Sequence, residues 1–282
     1  MITTARTLRL AHSPDCDDAF MFWALVNKKI DDEGLEFTNV LRDIETLNRM
    51  ARDKEIDVTA ISVHAYAYLC DEWELLSSGA SMGERYGPMA VARSAMTKEQ
   101  LRQARIAIPG EFTSAYMALR MAIGPFEYEA MPFDEILGAV TSGRADAGLL
   151  IHEGQLTYRK HNLVSVLELG RWWYEETGLP LPLGVNAIRK DIPVEIRRAA
   201  DRVLSRSIAY GLEHREEALE YALRFGRGLK PHLADRFVGM YVNHHTVDYG
   251  SDGKRAIRLF LARGHEAGVI PRLIEPEFVS GE

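Results

Sequence analysis

Hydrophobic and polar positions along this chain follow two periods in turn, one of strands and one of helices. Thr7–Ala11 is a short apolar-rich strand, and Ser13-Pro14 followed by Asp17-Asp18 marks a turn and a helix start. Phe20, Trp23, Ala24 and Leu25 give the helix that follows an apolar face. The same pattern predicts a helix over Ile44–Asp53, a strand over Asp57–Ile61, and strands over Pro88–Ala92 and Arg105–Ile108. Thr113–Ile123 reads as a helix opened by hydroxyl residues, Phe133–Thr141 as another, Asp146–Ile151 as a buried strand and Gly184–Ile188 as one more. Beyond that the chain becomes mostly helical: Val194–His214, then segments near Arg215–Phe225, Pro231–Val242 and Gly253–Ala267. Such alternation predicts an α/β fold, its sheet mainly parallel with helices on both faces.

Two stretches share a design. IETLNRMARDKEIDVTAIS (44–62) and FDEILGAVTSGRADAGLLIH (133–152) each run helix, charged turn, then an aspartate entering an apolar strand. Asp57 and Asp146 hold equivalent places, and the strands end in polar groups, Ser62 in one and His152-Glu153 in the other. Upstream, LRLAHSPDCDDAF and RIAIPGEFTSAY each give a strand, a proline-containing loop and a helix start. Ordinary β-α-β grammar accounts for this as well as a repeat does. If the echo is real, two similar lobes face each other across a cleft, and ligands bind where the strands' carboxyl ends meet.

Composition narrows the class. With 282 residues, 46% hydrophobic and 27% charged, the chain is that of a globular protein, long enough for two domains of ~150 residues, although one large α/β barrel would also fit. Thirty-four basic against 41 acidic side chains give −7, and no basic block of five or more occurs, so nucleic acid is not an expected partner. Two cysteines, Cys16 and Cys70, are too few for a disulfide scaffold or a zinc ribbon. No apolar run reaches the ~18 residues of a membrane span, and MITTARTLRL has no apolar export core, so a cytoplasmic protein without a membrane partner is expected.

His152 is the strongest chemical candidate. It follows the apolar run Ala147–Ile151 and so stands at a strand's carboxyl end, where an imidazole can serve as a general base or simply cap the strand. Glu153 need not pair with it, because neighbours on an extended chain point opposite ways. Thr113 and Ser114 open a helix whose first amides can receive a carboxylate or phosphate, although N-capping is the commoner use of such hydroxyls. Ser13 with Asp17 or Asp18 is ambiguous in the same way, and acids there already complement the helix dipole. Gly79-Ala80-Ser81-Met82-Gly83 matches G-x-S-x-G, but Gly87-Pro88 fall where a nucleophile elbow needs its helix. His152-Glu153 lacks the second histidine of H-E-x-x-H, and His244-His245 would diverge on a helix, so no metal site is expected. No Walker loop and no G-x-G-x-x-G is present, and no cofactor is expected. Trp172-Trp173-Tyr174 could wall an aromatic ligand or pack a core.

HSPDCDDAFMFWALV, RDIETLNRMA, GPMAVAR, IPGEFTSAY, ADAGLLIHEGQLTY and LGRWWYEETGLPLPLG carry a resemblance that composition does not. Together they resemble the 1,4-dihydroxy-6-naphthoate synthase family of the futalosine route to menaquinone, over residues 8 to about 190 with looser similarity beyond. The resemblance implies a type 2 periplasmic-binding-protein-like fold: two α/β lobes, 1–91 plus 186–282 and 92–185, around a central cleft, with crossovers near 90–94 and 185–189. It implies a lyase acting on cyclic dehypoxanthine futalosine, a small aromatic carboxylate, with His152 as the proton-accepting base. It also implies that Ala60, Ile61, Ser62, Thr113 and Ser114 contact the substrate. Other functions the fold admits are a solute-binding protein for a small carboxylate and a family member retuned to another carboxylate. The family usually has S-P-C-P-N-D-T-F where this chain has Ser13 to Phe20, and commonly a lysine where it has Ala60. Asp17 in place of Asn, with the lysine lost, should weaken anion binding at that lobe; His64 is a nearby partial substitute.

Overall fold

Strand pairing sorts the eleven strands of the computed structural model, which describes residues 6–279, into two sheets. The first part of the chain is β1 (Arg6–His12), α1 (Cys16–Val26), β2 (Leu35–Leu41), α2 (Ile44–Arg52), β3 (Val58–Ser62), α3 (Val63–Leu69), β4 (Trp73–Leu75) and β5 (Ser81–Gly83). The middle part is β6 (Met89–Ala92), α4 (Lys98–Gln103), β7 (Ile106–Ile108), α5 (Ser114–Ile123), β8 (Tyr128–Ala130), α6 (Ile136–Ser142), β9 (Ala147–Leu150), α7 (Gly154–Thr157), β10 (Val164–Glu168) and α8 (Leu169–Thr177). β11 (Leu181–Arg189) then rejoins the first sheet, followed by α9 (Val194–Glu213), α10 (Arg215–Ala222), α11 (Pro231–Tyr241), α12 (His244–Val247) and α13 (Gly250–Glu266).

The echo in the sequence is an echo in topology. The first sheet runs β2-β1-β3-β11-β4, parallel through β3 and then antiparallel at β11, with β5 also on β11. The second runs β8-β7-β9-β6-β10, again parallel through β9 and then antiparallel. The two aspartates make the same bonds in each. Asp57 N donates to Arg9 O (3.0 Å) and its Oδ2 accepts from Arg9 N (2.8 Å); Asp146 N donates to Arg105 O (3.0 Å) and its Oδ2 accepts from Arg105 N (3.0 Å). A guanidinium at the end of the antiparallel neighbour completes each set, Arg189 at 3.5 Å from Asp57 and Arg93 at 4.0 Å from Asp146. These pairs are partly exposed and add little energy, but the backbone exchange fixes where each central strand begins.

The chain passes between the sheets over 84–88 and returns through α8 and 178–180. The passages touch. A Cβ at Gly170 would lie 1.8 Å from Tyr86 O, so only glycine admits this backbone approach. Gly170→Ala should therefore destabilise the chain by about 3 kcal/mol in urea unfolding, as overpacking against a fixed carbonyl does. A loss under ~0.5 kcal/mol would show that the passage yields freely.

The strands that the residue pattern did not reveal are β2, β4, β5, β8 and β10. β4, β5 and β8 span three residues each, too few to show a period. Trp173 proves to be core: it is fully buried, and its Nε1 donates to Pro180 O at 3.0 Å. The C-terminal helices pack on α1, where Phe20, Phe22 and Trp23 meet Val203, Ile208 and Phe237 in one apolar cluster. That packing brings α11 to the edge of the cleft.

Candidate functional site

Carboxyl ends of strands from both sheets converge on one cleft, as open α/β architecture leads one to expect. Its empty volume, open mouth included, is about 680 Å³. Beyond β1 it is lined by Ser13, Asp15, Asp17 and Asp18, and at the carboxyl end of β3 by Ala60 and Ser62. Thr113 to Ala115 open α5 on the far side, and Ile151, His152 and Gln155 follow β9. Leu183 to Val185 of β11 form the floor, with Phe237 and Tyr241 of α11 beside them. No lysine or arginine is among the lining residues.

His152 is held from three directions. Its backbone has φ +54°, a left-handed conformation uncommon outside glycine, which ends the strand and turns the ring inward. Its N–H donates to the Gln155 amide oxygen at 3.3 Å when that amide is oriented so that its nitrogen donates to Gly87 O. Phe133 meets the ring edge-on at 4.7 Å. Nδ1 lies 3.2 Å from Asp15 Oδ2, while Nε2 is buried without a protein partner. An acid on Nδ1 selects the tautomer with its proton there, leaving Nε2 as a free base. Glu153 points away, to Arg227 at 3.7 Å.

Three buried aspartates share the start of α1, and they cannot all be ionised cheaply. Asp15 caps the helix, accepting from Asp18 N at 3.2 Å. Burial pushes its carboxyl upward, but the facing His152, Asp17, Ser13 and Asp18 N outweigh that, and it lies below the ordinary aspartate value. Asp17 and Asp18 are driven well above that value, by burial first and by the Asp15 charge next. The negative charge therefore sits on Asp15, and its neighbours favour the neutral acid. Because the folded chain keeps those protons to higher pH than the unfolded chain, their contribution to stability falls as pH rises above ~3.9. Asp17→Asn should raise the unfolding temperature at pH 8 and leave it unchanged at about pH 3. Equal shifts at both pH values would contradict this assignment.

The structure brings His152, Ala60, Ser62, Thr113 and Ser114 to the same cleft. Ile61 is not among the lining residues: alternation along β3 turns its side chain into the core, fully buried. The two hydroxyls of α5 are engaged within the protein. Thr113 Oγ1 donates to Gly110 O (2.8 Å) and accepts from Tyr116 N (3.2 Å); Ser114 Oγ donates to Leu183 O (2.6 Å). What this end offers an anion is thus the first-turn amides of Ser114 and Ala115, which have no carbonyl partner within the helix. Ser62 is tied to Asn48, its N donating to Oδ1 at 2.9 Å and its Oγ accepting from Nδ2 at 3.2 Å.

His64 does not replace a cation here. It is buried among Tyr68, Phe112 and Tyr116, off the lining, and burial pushes its pKa down to about 4. Ser81 Oγ stands 3.5 Å from Asp17 Oδ2 with no helix after it, so the G-x-S-x-G match is no elbow. Sequence reasoning missed Asp15, Gln155, Phe237 and Tyr241 as site residues. Asp15 had one visible signal, its place before a predicted helix start; Tyr241 had none.

A model of proteins described as acting in menaquinone biosynthesis matches residues 8–266. The chain belongs to that family. It is 39% identical over 272 residues to a 1,4-dihydroxy-6-naphthoate synthase of Thermus thermophilus, covering 96% of this chain and 99% of that one. A synthase of the same name from Streptomyces coelicolor is 35% identical over 278 residues, covering 96% and 97%. A crystal structure of an Archaeoglobus fulgidus protein superposes with a TM-score of 0.90 at 47% identity, over 94% of this chain and 98% of that one. The alkanesulfonate-binding protein of Xanthomonas axonopodis pv. citri, bound to MOPS, superposes with a TM-score of 0.71 at 12% identity, over 96% of each chain. That likeness concerns fold alone, and it makes the fold periplasmic-binding-protein-like, as the resemblance implied. The relatives' names point to an enzyme of menaquinone biosynthesis acting on a small molecule. Among the described residues no helix is long and apolar enough to cross a membrane.

Proposed function

We propose that this chain is a carbon–carbon lyase that converts cyclic dehypoxanthine futalosine to 1,4-dihydroxy-6-naphthoate, with His152 as general base. The observation that carries the reading is the state of the imidazole: Nδ1 tied to Asp15, Nε2 buried, free and facing a cleft. The names of the relatives supply the product.

In this scheme the aromatic carboxylate docks on the α5 amides, close to Ser62. The two lobes, which meet at the passages over 84–88 and 178–180, close on it and exclude water, which strengthens every charge interaction inside. Neutral His152 takes a proton from the substrate on Nε2, and the Asp15 carboxylate stabilises the imidazolium that forms. The electron pair left on the substrate forms a carbonyl on the departing fragment as the carbon–carbon bond to the bicyclic ring breaks, that bond's pair aromatises the ring, and the imidazolium returns its proton to the naphthoate oxygen, aromatisation driving the step. The scheme is set in the cytoplasm and uses only groups of this chain, main-chain amides included.

The Asp15 charge at one end of the cleft, with no lysine or arginine among the lining residues, opposes an anion there and favours a second reading, a retuned enzyme for another carboxylate. Calorimetric titration with cyclic dehypoxanthine futalosine separates the cases. Sustained heat of reaction supports the lyase, saturable binding without turnover supports a carrier, and no heat supports retuning.

A further inference from the structure

Neighbouring histidines on a helix are expected to diverge, yet in α12 the rings of His244 and His245 lie side by side. Their centroids are 4.0 Å apart and their planes 39° from parallel. Glu84 faces them from the 84–88 passage, its Oε1 3.5 Å from His245 Nε2. One nitrogen of each ring and one oxygen of that carboxylate all lie within 4.8 Å of one another. Ligand atoms around a tetrahedral ion with bonds of about 2.0–2.2 Å sit roughly 3.3–3.6 Å apart, so small side-chain rotations close the set.

The scaffold beneath is braced before any ion arrives. His245 N donates to Asn243 Oδ1 (2.9 Å), Asn243 N to Thr246 Oγ1 (2.9 Å), and Thr246 Oγ1 to Tyr241 O (2.9 Å). Gly79 N donates to Thr246 O at 2.6 Å, tying this turn to the first sheet. In the passage, Tyr86 donates to Met240 O and meets Tyr241 edge-on at 5.8 Å. Glu84 and His244 are exposed while His245 is buried, so solvent reaches a cluster whose base is fixed.

We propose that Glu84, His244 and His245 bind one borderline transition-metal cation of the Zn²⁺ class, clasping the interlobe passage to the end of α11 that walls the cleft. Two imidazoles and one carboxylate suit such ions; Mg²⁺ and Ca²⁺ take oxygen ligands. The role is structural and independent of the lyase reading. Calorimetry of the metal-stripped full chain with ZnCl₂ should give one ion per chain, and saturating Zn²⁺, not Mg²⁺, should raise the unfolding temperature. Glu84→Gln and His244→Ala, both at exposed side chains, should each weaken binding at least tenfold and remove the thermal shift. Absence of saturable binding to the wild-type chain would overturn the proposal. So would binding of unchanged affinity in both variants, which would put the ion elsewhere.

Discussion

Replacing His152 with alanine should lower kcat on cyclic dehypoxanthine futalosine by at least ~100-fold, the lower end of what a positioned general base contributes. The ring touches the Asp15 carboxylate and the edge of Phe133, and its Nε2 is spent on nothing inside the protein. Its removal therefore takes away a base and little packing. Unfolding in urea and substrate affinity should stay close to wild type. Turnover near the wild-type rate would end the assignment of His152 as base, whatever the fold.

Asp15→Asn should cost kcat about 100-fold as well, by a different route. Asparagine caps a helix as well as aspartate does, so α1 keeps its start and stability is preserved. The amide cannot hold the imidazole proton on Nδ1 or balance the imidazolium, and a base turned by about 1 Å loses ~100-fold. KM should move little, because both Asp15 oxygens are engaged within the protein, Oδ1 by Asp18 N and Oδ2 by His152 Nδ1. A large rise in KM with kcat unchanged would make Asp15 a binding residue instead. Asp15→Ala adds loss of the cap, worth ~1 kcal/mol, and separates the two roles.

The central strands and helices of both halves were legible because each buries one clear face, and the aspartates entering β3 and β9 marked their starts. Short strands such as β5 and β8 were not, since three residues carry no period. His152 stood out because an apolar run delivered it to a strand's carboxyl end. Its partner did not: Asp15 caps the helix that follows β1 of the other sheet, and nothing in linear spacing pairs it with His152. The first amides of α5 are legible as an anion seat from its hydroxyl-rich start, whereas the bonds of the Ser114 hydroxyl to Leu183 O and of Thr113 to Gly110 O depend on the fold. Helix geometry predicts that His244 and His245 diverge, and a single turn held by Asn243 and Thr246 does not follow the divergence of a long helix.

The claim that this cleft performs chemistry on its ligand is tested most directly by product counting. The chain is mixed with an excess of cyclic dehypoxanthine futalosine, and 1,4-dihydroxy-6-naphthoate is followed over time. Many equivalents of naphthoate per chain, formed at a rate that collapses in His152→Ala, is the predicted result. No naphthoate, with the substrate bound and recovered intact, would contradict it.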